Sequence, residues 1–342
     1  MSARENIIPV FVPHLGCPNS CVFCDQRRIS GRQQPAAPQD VVQAVENAAA
    51  LLPKGAKRQL AFYGGSFTAI PLQQQEALLQ AAKQELDMGR IDSIRLSTRP
   101  DAIDAEVLDR LRRYGVETIE LGAQSMDEEV LRLSARGHSA AQVEQASRLI
   151  KDGGFSLILQ MMTGLPGDSR EKSIATAKKI IALRPMGVRI YPTVIVRGTA
   201  LCELWQSGRY REHTVEDAVE LCADILPLFE QAGIPVIRLG LNPTEDLSNG
   251  DAVGGAYHPA LGELVKSRIL RRRAEELLQA VPNGSTVTLE VDPGLCSQML
   301  GQHRQNAGYL CSRFGLKAFK VKERTEKTGE LKIFALENQQ RS

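Results

Sequence analysis

Three cysteines crowd into the segment Cys17-Pro-Asn-Ser-Cys21-Val-Phe-Cys24, and this Cys-x3-Cys-x2-Cys spacing presents three soft thiolate ligands from one tight loop. Such a set can hold iron–sulfur or zinc. Three thiolates are one short of a filled [4Fe–4S] cluster, so one metal ion is left open to take a small molecule directly. The competing arrangement is half of a zinc site completed from a distance. No second Cys-x2-Cys occurs, however, and His14 is the one nearby candidate. The remaining cysteines, Cys202, Cys222, Cys296 and Cys311, are scattered without ligand spacing and read as small hydrophobes. An odd total of seven, distributed this way, is a poor disulfide framework. It points to a reducing compartment, and the expected location is cytoplasmic.

Thiols at such spacing need a scaffold that delivers other loops to the same place. Short β-rich apolar runs alternate with helix-period segments: strands are expected at Val10–Pro13, Gln59–Tyr63, Ser93–Ser97, Thr118–Gly122, Leu157–Met162 and Gly187–Tyr191, with helices between them. Mostly continuous apolar strands, each followed by a helix, imply an α/β fold with a parallel sheet under helices. Six units predict a partial (β/α)6 TIM-like barrel. Its functional groups then sit at the carboxyl ends of the strands, in loops here rich in Gly, Ser, Thr, Pro and Arg. Helices around Leu201–Ser207 and Thr214–Ala232, an apolar run Val236–Gly240, a loop Leu241–Pro259 and a helix Leu261–Val281 follow. Pro282-Asn283-Gly284 then gives a strong turn signal. The expected division is residues 1–200 for the barrel core, 201–282 for a helical extension completing it, and 283–342 for a small basic α+β domain.

The cysteine motif followed by Gly64-Gly65-Ser66-Phe67-Thr68 resembles the radical S-adenosylmethionine (SAM) superfamily. Within it, Ser97-Thr98-Arg99-Pro100-Asp101, Glu120-Leu121-Gly122-Ala123-Gln124-Ser125, Arg136-Gly137-His138, Met162-Thr163-Gly164-Leu165-Pro166-Gly167 and Tyr191-Pro192-Thr193-Val194-Ile195-Val196-Arg197-Gly198-Thr199 resemble the Elongator catalytic subunit family. That similarity covers roughly residues 7–265 and does not extend to that family's acetyltransferase domain. The resemblance implies a [4Fe–4S] cluster on Cys17, Cys21 and Cys24 whose open iron is chelated by SAM. One electron, from a donor such as flavodoxin or ferredoxin, then cleaves SAM to a radical that abstracts hydrogen from the substrate. It also implies a SAM pocket drawn from Gly64, Gly65, Ser66, Thr98, Gln124, Ser125, Arg136, Gly164 and Val196. Arg136 would meet the SAM carboxylate, Gln124 and Ser125 the ribose, and the Gly164–Gly167 turn and Val196 the adenine. Many members carry an acidic residue on the third strand where this chain has Ser97.

The 342 residues hold 42 Lys and Arg against 40 Asp and Glu, a net of +2, which taken whole does not describe a polyanion binder. That average hides an asymmetry. From Lys266 to Ser342 there are 14 Lys and Arg against 8 Asp and Glu, so the basic charge is concentrated in the last quarter. That quarter reads strand, helix, tight Gly turn, helix, strand, strand, the order of a KH-like RNA-binding module. Met299-Leu300-Gly301-Gln302-His303-Arg304 resembles its clamp for single-stranded backbone, with Arg304 in place of the second glycine. In this reading Gln302, His303 and Arg304 meet phosphates, helped by Lys317, Lys320, Lys322 and the Arg271–Arg273 run. The alternative is an α+β cap whose lysines are a solvated face. No uncharged apolar window reaches 18 residues, so no membrane association is expected. The expected function is a radical SAM enzyme acting on RNA of tRNA type. The alternative is one acting on a small molecule or tetrapyrrole, as oxygen-independent coproporphyrinogen oxidases do.

Overall fold

A computed structural model describes residues 6–12, 21–24, 35–53, 55–241 and 250–337. Cys17 lies outside the described residues, as do most of the loop 13–34 and residues 242–249. The chain divides into two compact units, one of residues 1–218 with 225–259 and one of residues 219–224 with 260–342.

The first unit is built on β1 (Asn6–Val12), β2 (Arg58–Gly64), β3 (Ser93–Thr98), β4 (Val116–Gln124), β5 (Ser156–Thr163), β6 (Gly187–Pro192) and β8 (Val236–Leu239), all parallel and adjacent in that order. The six expected strands are present. The run read only as apolar, Val236–Leu239, adds a seventh beside β6. Helices start where short polar side chains accept the first free backbone N–H groups: Asp104 from Val107, Ser139 from Gln142, Ser169 from Lys172. A short antiparallel pair, β7 (Val194–Val196) with β9 (Ala252–Gly255), also forms where loops were expected. Three or four residues, two of them glycine in β9, carry too little pattern to announce a strand.

The strands are not uniformly apolar. On the helix-covered face stand Leu60, Phe62, Ile94, Leu96, Ile119, Leu121, Leu159 and Ile190, all fully buried, each worth about 1.5–3 kcal/mol in removal from water. On the opposite face stand Tyr63, Arg95, Ser97, Glu120, Gly122, Gln160, Met162, Arg189 and Tyr191. This polar inner face corrects the expectation of continuous apolar strands. It also shows how far the sheet curls. Arg189 on β6 donates from Nη2 to the Tyr63 hydroxyl on β2 at 2.7 Å and lies over its ring at 5.2 Å. Those strands are four positions apart, roughly 19 Å in a flat sheet at about 4.8 Å per strand. The sheet is a half-barrel closed across its lumen by that contact.

The second unit has a three-stranded sheet with β10 (Thr286–Val291) central, parallel to β11 (Ala318–Glu323) and antiparallel to β12 (Lys332–Glu337). Helices Cys296–Leu300 and Gln305–Phe314 connect β10 to β11. Its core joins Val287, Leu289, Val291, Met299, Leu310 and Phe319 to Leu270, Ala274 and Leu278. The helix Leu261–Leu278, expected to complete the barrel, therefore belongs to this unit, whose continuous segment begins at Ala260 rather than 283. The turn signal at Pro282-Asn283-Gly284 marks a helix-to-strand corner within it.

Candidate active site

Described residues of the cysteine segment form a turn, Cys24 N donating to Cys21 O at 3.0 Å. Two backbone bonds fasten it to the barrel: Val22 N to Ser134 O at 3.1 Å and Leu201 N to Val22 O at 2.7 Å. Val22 and Phe23 pack against Ile195, Leu201, Cys202 and Tyr210. Cys202 is thus part of an apolar wall, as expected of a lone buried cysteine. Cys21 is buried, Cys24 is half-buried, and neither is in a disulfide. Among the described residues no group of three His, Cys, Asp or Glu could hold a metal, and Cys17 lies outside them.

Arg136 reaches this turn. Its Nη1 donates to Cys21 Sγ at 3.5 Å and its Nη2 to Gly122 O at 2.8 Å, while its Nε is buried without a hydrogen bond among the described residues. The backbone that carries Arg136 is clamped from both sides. Arg99, wholly buried, forks onto Asp101 at 2.8 and 3.0 Å and also donates to Arg136 O at 2.8 Å. His138 Nε2 meets Ala123 O at 3.1 Å. Burial first, then the neighbouring Arg136 charge, push His138 down to about 3, so the ring is neutral and donates to that carbonyl. Arg99, Asp101 and His138 lie inside the motifs, but nothing in the motifs announces this positioning work.

Strand β4 ends in a bulge between Gly122 and Gln124, with Gln124 at φ 64°. That left-handed backbone turns the amide back over Gly122, where it accepts from Gln160 Nε2 at 2.7 Å. A Cβ on Gly122 would stand 2.8 Å from both Arg136 Nη2 and Gln124 Nε2, so glycine here makes room for both side chains. Ser125 departs from expectation. Its hydroxyl accepts from Asp127 N at 3.1 Å and pairs with Thr176 at 3.3 Å on a covering helix, so it is turned away from Arg136.

Gly64, φ +101°, closes β2 so near β1 that a Cβ would lie 2.9 Å from Val12 O; Gly65 N then donates to that same oxygen at 2.8 Å. Ser66 and Thr98 are spent on each other at 3.1 Å. Ser66 also accepts from Arg99 N at 3.0 Å, and Thr68 bonds Thr98 and Ala102 O. They tie the β2 loop to the end of β3. The Gly164 turn is held by Asp168, which accepts from Gly164 N at 2.8 Å and Ser173 Oγ at 2.7 Å, and by Tyr210, which donates to Gly164 O at 2.6 Å. Val196 packs with Val194, Ala252 and Tyr257, away from Ile195 and the cysteine turn. Cys21, Gly122, Gln124 and Arg136 thus converge, whereas Ser66, Thr98 and Ser125 support neighbouring backbone.

In the second unit, Gln302, His303, Arg304 and Lys320 are exposed. The Arg271–Arg273 run is engaged instead: Arg271 with Glu220 and Glu275, Arg272 with Glu220 and Asp224, Arg273 with Gly329 O. Its expected help with phosphates is thereby corrected. Cys296 and Cys311 are both pushed up by burial and pack on the core.

The first unit is thus an α/β half-barrel with a cysteine turn and a buried arginine at the carboxyl end of its sheet. Residues 11–180 match the radical SAM superfamily and residues 185–271 its C-terminal domain, and the chain belongs to that superfamily. It is a radical SAM enzyme, whose cofactors are a [4Fe–4S] cluster and SAM and whose reaction requires a reductant. Human Elongator complex protein 3 is 34% identical over 226 residues, 60% of this chain and 40% of that protein. The tRNA uridine(34) acetyltransferase of Methanocaldococcus infernus is 28% identical over 229 residues, 61% and 42% of the two chains. The chain therefore spans about two fifths of the length of these curated relatives. The structure of Methanocaldococcus infernus Elp3 with an N-terminal deletion superposes with a TM-score of 0.62 at 23% identity, covering 78% of this chain and 63% of that one, a likeness of fold.

The residues present fit those cofactors. A buried thiol and a half-buried one share a turn under an apolar wall, and a buried guanidinium with an unused Nε stands beside them. No helix of the described residues is long and apolar enough to cross a membrane.

Proposed function

We propose that this radical SAM enzyme acts on RNA, of tRNA type, with the barrel performing the chemistry and the second unit holding the polymer. The bound cofactors supply one-electron cleavage of SAM and hydrogen abstraction. The chain's own part is orientation and exclusion of water. Cys17, Cys21 and Cys24 hold the cluster. Gly64 and Gly65 let backbone approach SAM closely, Arg136 offers its guanidinium to the SAM carboxylate, and Gln124 offers its amide to the ribose hydroxyls. The Gly164 turn and β7 border the adenine, while Val22, Phe23 and Ile195 keep water from the cluster side. A flavodoxin- or ferredoxin-type protein supplies the electron.

The observation that carries the RNA reading is the turn Gly301–Arg304. Gly301, His303 and Arg304 all have positive φ, at 76°, 50° and 60°, yet two of them are not glycine. Left-handed backbone at such residues costs about 1–2 kcal/mol each. Asn306, buried and bonded to Ser267 Oγ at 2.9 Å and Met299 O at 3.1 Å, holds the turn in place. The strain keeps two exposed cationic or polar side chains at the tip of a KH-like hairpin, which supports a role in contacting phosphate. The similarity to a tRNA uridine(34) acetyltransferase agrees with it. The test is RNA affinity against salt for the intact protein and for a Gln302→Ala, His303→Ala, Arg304→Ala variant. The expected result is at least tenfold weaker binding with a shallower salt slope. Equal affinity and slope would remove the second unit from RNA binding. Unchanged nucleosides in RNA from cells lacking the gene would remove RNA as the substrate.

A further inference from the structure

On the inner face of the barrel, Arg189 organises a set of groups outside the expected cofactor pocket. Its Nε pairs with Glu120 Oε2 at 3.0 Å, its Nη2 donates to Tyr63 Oη at 2.7 Å and its Nη1 to Tyr191 Oη at 3.1 Å. Arg95 adds a second donor to Tyr63 Oη at 3.5 Å, its side chain's one hydrogen bond among the described residues, and its Nε is buried without a partner among them. Each phenol oxygen thus accepts from a guanidinium. Each phenol proton finds no acceptor among the described residues. Burial pushes both phenols up, so both remain protonated donors. The two hydroxyls are held on one rigid fork, and two guanidiniums face one carboxylate, leaving the region electropositive. Both tyrosines are only half-buried, although they sit on interior strands of a covered sheet. Glu120 and Arg95 lie two residues down their strands from Gly122 and Ser97, about 7 Å below the Arg136 layer.

We propose that Tyr63 and Tyr191, held on the Arg189 fork and backed by Arg95, form an oxyanion-binding floor in the barrel lumen that takes a phosphate or carboxylate oxygen of the substrate. The proposal rests on the lumen being the substrate chamber of the radical SAM enzyme. It does not depend on the second unit binding RNA. Phenol donors polarised by guanidinium suit an anionic acceptor, because hydrogen bonds to charged groups are about twice as strong as neutral ones.

The experiment is calorimetric titration of inorganic phosphate and of acetate into the intact protein, its Tyr63→Phe and Tyr191→Phe variants, and Tyr309→Phe in the second unit as control. Phenylalanine keeps the ring, and matching melting temperatures confirm the fold. The expected result is saturable binding of one anion, about tenfold weaker in each lumen variant and unchanged in Tyr309→Phe. Tighter phosphate than acetate names a phosphate-bearing substrate, and the reverse a carboxylate. No saturable binding, or wild-type affinity retained in Tyr63→Phe and Tyr191→Phe, overturns the floor. The same titration repeated with saturating S-adenosylhomocysteine should keep the anion bound. Its displacement would assign the site to the cofactor carboxylate and overturn the proposal. Failure of the radical SAM reading would instead appear as absent 5′-deoxyadenosine from reconstituted wild type.

Discussion

The two units handle charge in opposite ways. The barrel turns Arg95, Glu120 and Arg189 inward from its strands and buries Arg136 against Gly122 O, so these charges are withdrawn from its surface. The C-terminal unit neutralises its arginines on Glu220, Asp224 and Glu275 and leaves Lys320 and the Gly301–Arg304 turn at the surface. A net charge read from sequence is therefore a poor measure of charge on offer. In the tail much of it is already paired.

The sharpest test of that division is at the cysteines. Cys21→Ala or Cys24→Ala should abolish iron–sulfur absorption and 5′-deoxyadenosine release after reconstitution, while Cys311→Ala and Cys202→Ala should retain both. Full absorption in the first pair would refute the cluster assignment. Backbone tolerance should also differ. Gly64→Ala meets both a φ of +101° and the Val12 carbonyl, and should lower stability by about 2 kcal/mol in denaturant melts.

A pH effect of similar size should come from the barrel. His138 is held neutral with a folded value near 3, below its unfolded value of 6.5. The stability it confers is complete above pH 6.5 and is lost as the pH falls towards 3, amounting to about 2 kcal/mol by pH 5. The difference between wild type and His138→Gln, measured from pH 7 to 5, should show it; parallel curves would contradict a buried neutral ring. His213, lowered by burial, acts in the same direction in both proteins.

In the second unit Arg304→Gly should do the reverse of Gly64→Ala and raise stability by about 1 kcal/mol while weakening RNA. A stability loss would mean that the side chain serves the fold. The smallest effect belongs to Lys322→Ala, whose ammonium lies 3.9 Å from the exposed Phe334 ring. At most about 1 kcal/mol should be lost in urea titration.

Much of the barrel was legible because strands and helices have different periods, and the convergence of Cys21 and Arg136 followed from their motifs. The polar lumen was not. Arg95, Glu120, Gln160 and Arg189 each interrupt a run singly, and a run read as continuous hides an alternation of two. Position Arg95 beside Ser97, and Glu120 beside Gly122, was the available signal. Ser125 misled for another reason: sequence places a hydroxyl at a strand end, but the bulge at Gln124 decides which way it faces. The unit boundary slipped to 282 because a turn signal reports a corner without reporting which sheet covers the preceding helix. Leu270, Ala274 and Leu278 decided that.

Strands β1 and β8 end the seven-stranded sheet, and among the described residues each is paired on one side only. A closed eight-stranded barrel admits only what fits its mouth. A sheet with two unjoined ends interrupts its ladder along its whole length, so the inner face has a side as well as a mouth.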